Sequence, residues 1–192
     1  MKKIPMEIEM RIKGYVPACA LMLLFMAALW PMGTLAADDQ AEVRGVVRQA
    51  FGQLKSRQYG ALYDRLPSAS QRRISRERFI QGLRRTGDMY ELDRMEIGAV
   101  HVSGDIAVAD AVMYGRVSRP VESDGKVVTQ LYLVREGGSW RVVVSDRATA
   151  RSLLADYPAF IKKYPPRDPR IYVKRDGRWV DLTSTLRRAA RS

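Results

Sequence analysis

From residue 90 to residue 144 the chain shows a partial period-two alternation of better- and less-buried positions, in runs rich in Val, Ile, Tyr and Leu. That rhythm predicts strands with one better-buried face. Ser103-Gly104-Asp105, Ser123-Asp124-Gly125 and Glu136-Gly137-Gly138 read as turns, so the stretch is expected to form one antiparallel sheet of four strands. In the second strand Ile106, Val108, Asp110, Val112 and Tyr114 share one face, while Ala107, Ala109, Ala111, Met113 and Gly115 share the other. The first face presents bulk and the second permits close approach. The third strand sets Val127, Thr129, Leu131 and Leu133 against Val128, Gln130, Tyr132 and Val134. Apolar groups on both sides predict cover on both. Helices are expected over one face, and the carboxy-terminal hairpin or a second subunit over the other. Trp140, Val142 and Val144 share a face in the fourth strand.

Ahead of the sheet the rhythm is helical. Val43, Val46, Val47, Ala50, Phe51 and Leu54 form one apolar stripe, with Asp38 and Asp39 placed at its positive N-terminal end. A short second helix carries Tyr59, Leu62, Tyr63 and Leu66 and ends at Pro67. Ser68-Ala69-Ser70-Gln71 has the spacing of a capping box, and Ser75 reads as the N-cap of a helix over 76–85 that turns Phe79, Ile80 and Leu83 inward. Beyond residue 147, a fourth helix is expected over 148–163, kinked or split at Pro158. A stiff connector, Tyr164-Pro165-Pro166-Arg167-Asp168-Pro169, leads to a hairpin around Asp176-Gly177 and an Arg-rich helix from about Ser184.

The first 36 residues stand apart. Lys2, Lys3, Arg11 and Lys13 precede an apolar run over 18–30, and Thr34-Leu35-Ala36 offers small residues for cleavage after Ala36. This is the layout of a secretory signal peptide. The alternative is an uncleaved anchor, since residues 16–35 are long enough to span a bilayer core of ~30 Å. The expected organisation is therefore a leader over 1–36, an α+β domain over 37–147 and a basic extension over 148–192, in an exported, periplasmic or secreted protein. Removing the leader removes Cys19, the chain's one cysteine, and with it any disulfide or thiolate metal site. The net charge of +12 favours anionic partners such as a membrane surface or an envelope polymer, although the basic residues are dispersed.

Several of these features together resemble the NTF2-like (cystatin-like) superfamily, in the form of its small exported bacterial domains. They are the first amphipathic helix, the Tyr59–Leu66 segment, Ile74-Ser75-Arg76-Glu77-Arg78-Phe79, and a meander with Gly104-Asp105-Ile106-Ala107-Val108 and Gly138-Ser139-Trp140-Arg141-Val142. The resemblance covers about 40–147 and implies a cone, in which a curved four-stranded sheet wraps the first helix around a pocket. Isomerases, dehydratases, small-ligand binders and assembly proteins all use that cone, so fold alone assigns no chemistry.

Asp110 is the anomalous residue of its strand face. If that face lines the cone, the carboxylate is a candidate general base, with Tyr114, Tyr63 or Tyr59 as a phenolic partner. His101 is the only histidine, and no cysteine accompanies it in the mature chain, so no typical zinc site is expected and no cofactor is called for. Nucleophile-elbow, P-loop and dinucleotide motifs are absent from the sequence. Trp179 beside Arg175 and Arg178 is a candidate interaction edge. The leading expectation is a non-enzymatic envelope protein that binds a protein partner or an apolar small ligand, with a homodimer through the sheet open. A small isomerase or dehydratase centred on Asp110 is one alternative. A membrane-anchored assembly component resembling the NTF2-like domains of type IV secretion systems is another. Nucleic acid is not an expected partner.

Overall fold

A computed structural model describes residues 33–118, 122–143 and 147–189, so the expected leader as far as residue 32 lies outside the described residues. The elements run α1 Gly33–Lys55, α2 Tyr59–Tyr63, α3 Ser68–Arg73, α4 Arg76–Gly87, β1 Tyr90–Ser103, β2 Ile106–Val117, β3 Ser123–Glu136 and β4 Ser139–Val143. There follow α5 Arg147–Leu154, α6 Pro158–Lys163, β5 Arg170–Arg175, β6 Arg178–Asp181 and α7 Thr183–Ala189. From Leu35 onward the chain forms one compact unit. It has the expected α+β architecture of amino-terminal helices on an antiparallel sheet, extended by carboxy-terminal helices and a hairpin.

The sheet has six strands, in the order β1-β2-β3-β5-β6, with β4 also paired to β3. The far edge of β3 is therefore shared. Tyr132–Glu136 pairs with β4, while Gly125–Val128 pairs with β5. The hairpin thus lengthens the sheet edgewise and does not lie over it.

The alanine face of β2 meets the helices. Ala107 and Ala109 pack with Leu133, Trp140 and Val142 against Val43, Val47 and Ala50 of α1, Leu62 and Leu66, and Phe79 of α4. Methyl-sized side chains let a helix backbone come close to the sheet, so the small face, not the bulky one, takes α1. The bulky face has its own cover. Ile106, Val108, Tyr132, Val134 and Val143 pack under Leu154 of α5 and Phe160 of α6. Pro158 splits the expected single helix in two, and both pieces, rather than the hairpin, supply the second layer.

Three local expectations are corrected. Ser123-Asp124-Gly125 is not a turn, because all three residues lie in β3 opposite Val117, Arg116 and Gly115. A side chain on Gly115 would collide with the Glu91 carbonyl, and one on Gly125 would meet Val117 at 2.9 Å; these glycines serve close strand approach. Ser68 is not an N-cap. Pro67 holds that position with no side-chain cap, and the Ser68 N–H donates to Glu136 Oε2 at 3.0 Å. Asp38 and Asp39 lie in the second turn of a helix that starts at Gly33, and Asp39 pairs with Arg135 of β3. Ser75 does cap α4, accepting from the Arg78 N–H at 3.3 Å.

The outer edge of β1 is closed from α1. Irregularities fall between Leu92 and Arg94 and between Ile97 and Val100. There Lys55 donates to the Asp93 carbonyl at 2.5 Å, and Arg44 donates to those of Ile97 and Gly98 at 3.3 and 2.9 Å. Bulges and cations on an edge strand prevent unwanted strand addition.

Candidate binding cleft

Where α5 and α6 stop, the outer sheet face opens into a cleft of about 1080 Å³. Its floor is a row of residues in register, Glu96, Val112 and Val128, next to the pair Asp110 and Gln130. Its walls are Arg167 and Asp168 of the proline-rich connector, Arg170 and Tyr172 of β5, and Asp181 of β6. The period-two geometry of β2 and β3 places these side chains together. Val108 and Tyr132 go under α6, and the next residues of the same parity, Asp110 and Gln130, emerge from beneath it.

The connector is pinned across this face. Arg167 donates through Nη2 to Asp110 Oδ1 at 3.1 Å, and its backbone N–H donates to Gln130 Oε1 at 3.1 Å. Three residues earlier the Tyr132 hydroxyl donates to the Tyr164 carbonyl at 2.6 Å, while the His101 ring stacks on Tyr164 with centroids 4.3 Å apart. Burial pushes the Tyr132 phenol up to about 12; nearby Arg167 opposes the shift and Asp110 adds to it. His101 is therefore a packing residue of the strap.

The expected catalytic grouping does not assemble. Asp110 lies on the face opposite α1, outside the space between helix and sheet, and its side chain is 44% exposed beside a guanidinium. Tyr59 and Tyr63 belong to the helical side. Tyr59 is buried with its hydroxyl against Gly87, and the Tyr63 hydroxyl donates to the carbonyls of Gln71 and Ile74. Tyr114 shares the outer face with Asp110 but donates to Glu96 Oε2 at 3.1 Å, under the Arg94 guanidinium at 3.7 Å from its ring centroid. A desolvated base beside a free phenol is thus replaced by two ion-paired clusters. Among the described residues no group of three or more His, Cys, Asp or Glu side chains could hold a metal ion.

Trp179, Arg175 and Arg178 fall at the far end of β5 and β6, with Arg175 directly opposite Arg178 and Trp179 opposite Lys174. Sequence reasoning missed Arg167, Gln130 and Glu96. Arg167 was visible only as a charge within a stiff connector, and nothing local tied it to a carboxylate 57 residues away.

The fold and cleft define an α+β domain with a sealed helical side and a half-open outer side. The chain is similar to an NTF2-like protein with a cystatin-like fold from Novosphingobium aromaticivorans, with 15% identity, coverage of 73% of this chain and 99% of that chain, and a TM-score of 0.40. No protein-family model and no curated protein matches the chain.

Proposed function

We propose that the protein is an exported cell-envelope protein that holds a protein partner on the open half of the outer sheet face. The observation that carries this reading is Val128, which is 37% exposed on a sheet face whose other half is sealed by α5 and α6. A lone exposed apolar residue is ordinary. Here Val112 and Val128 stand side by side in register on the floor of a concave site. Around them Asp110 pairs with Arg167 and Glu96 with Arg94, giving an apolar centre with a polar rim, the layout of a protein interface. A small apolar ligand needs walls that enclose most of its surface, so the open cleft favours a segment of protein over such a molecule. Export rests on the basic and apolar pattern of residues 1–36, and retention of that segment would make the same face available to a membrane-anchored assembly.

The test is a photo-crosslinking residue in place of Val128, in cells that produce the full chain. The expected result is a discrete adduct that is missing when the label replaces exposed Arg48 on α1. Equal labelling from both positions, or none from Val128, overturns the reading. Native mass spectrometry of protein purified without detergent separates the alternative, because a retained small molecule would favour ligand storage over partner binding.

A further inference from the structure

We propose that the tip of the β5–β6 hairpin docks on an anionic lipid surface. Val173 is the last β5 residue in register with β3. Beyond it the strand register is within the hairpin, Lys174 with Trp179 and Arg175 with Arg178, while Ser123 Oγ of β3 donates to the Lys174 carbonyl at 2.6 Å; the hairpin closes through Asp176 and Gly177, both at positive φ. Every residue from Lys174 to Trp179 is exposed. A two-residue turn fixes the shape of this exposed tip.

Its composition conflicts with its own stability. Arg175 and Arg178 are directly opposed on one face, an arrangement in which like charges repel across the strand pair. No carboxylate among the described residues forms an ion pair with either one. On the other face Trp179 is 39% exposed, next to Lys174, with Lys126 Nζ 4.5 Å from its ring centroid. Two lysines thus flank the exposed indole and two arginines occupy the opposite face of the tip, and the carboxylates nearby are Asp124, 3.7 Å from Lys174, and Asp176 in the turn.

An exposed hairpin tip encloses no small ligand. It can enter a headgroup layer, where indole rings settle at the apolar–polar boundary and Lys and Arg meet lipid phosphates. The opposed arginines, costly within the isolated hairpin, gain counter-charges there. The inference does not rest on the cleft, whose floor lies at the other end of β5.

The experiment is sedimentation of the full chain with vesicles of phosphatidylcholine alone or mixed with phosphatidylglycerol. The basic and apolar amino-terminal segment contributes equally to wild type and variants, so the hairpin is read from the difference between them. The chain is expected to bind the anionic vesicles more tightly. Arg175→Gln combined with Arg178→Gln is expected to weaken that binding roughly 25-fold, about fivefold per cation. The charge-matched pair Arg48→Gln and Arg85→Gln, on exposed helical sites, is expected to change it less than about twofold. Trp179→Phe is expected to remove the extra quenching by brominated lipid that anionic vesicles add over neutral ones, the quenching of Trp30 in the amino-terminal run being common to both variants. Three outcomes overturn the proposal: wild-type binding by the hairpin double variant, an equal loss in the control pair, or soluble polyphosphate binding at the tip while anionic vesicles are ignored. Circular dichroism of the hairpin variants separates loss of binding from loss of fold.

Discussion

The two faces of β2 come from one twelve-residue strand, yet they end in opposite environments. On the inner face Ala107 and Ala109 are small and fully buried, and α1 closes over them. On the outer face Ile106 and Val108 are sealed under α5 and α6, whereas Asp110, Val112 and Tyr114 remain partly open. The difference shows that residue size does not by itself decide which face is the core. Small residues attract a helix by letting it come near, and bulky residues wait for whatever layer the chain adds later.

The largest expected effect belongs to the inner face. Leu133 is 0% exposed, so Leu133→Ala should cost about 2–5 kcal/mol in denaturant unfolding. A loss below about 1 kcal/mol would mean that α1 and the sheet do not share a close-packed core. Ala109→Leu addresses close approach directly. It should cost about 1–3 kcal/mol by forcing α1 away, and a neutral result would undo the explanation of the alanine face.

Tyr132→Phe probes the sealed part of the outer face. Loss of the hydrogen bond to the Tyr164 carbonyl should cost about 0.5–1.5 kcal/mol near neutral pH. Its pH dependence has a definite sign. The folded state holds the Tyr132 proton up to about 12, whereas the unfolded phenol releases it near 10. This contribution to stability is therefore complete below pH ~10 and is lost as pH rises to about 12. Urea midpoints of wild type and Tyr132→Phe should converge across that window, and parallel curves would place the phenol in water.

The smallest effects belong to the open half. Asp110→Asn breaks an exposed pair with Arg167 and should change stability by about 0–1 kcal/mol, while hydrogen exchange of the 164–169 connector rises. Val128→Thr should stay within about 0.5 kcal/mol. A large loss from either variant would show that this half is buried in solution, by a second copy or another partner.

Much of this molecule is local and was legible as such. The 3.6-residue stripe of α1, the Ser75 cap and the Asp176-Gly177 turn each depend on residues within a few positions of one another. The break at Pro158 also follows locally, because a proline has no N–H to donate and crowds the preceding turn. The candidate site was less legible. Asp110 stood out because a carboxylate interrupts an apolar strand face, and it does line the cleft. Tyr59 and Tyr63 were grouped with it only because a pocket between α1 and the sheet was expected on the bulky face. Once that face turned away from α1, those phenols could not reach Asp110.

The sequence by itself determined most of the elements and the parity of each strand, since these follow from propensity and periodicity over short windows. Tertiary structure alone decided which parity met α1, that Gly115 and Gly125 separate strands instead of turning them, and that the bulky face would be roofed only as far as α5 and α6 reach. It also decided that Asp110 would be held by Arg167. Each of those outcomes depends on the distance between groups far apart in the chain, and alternation along one strand carries no information about what packs above it.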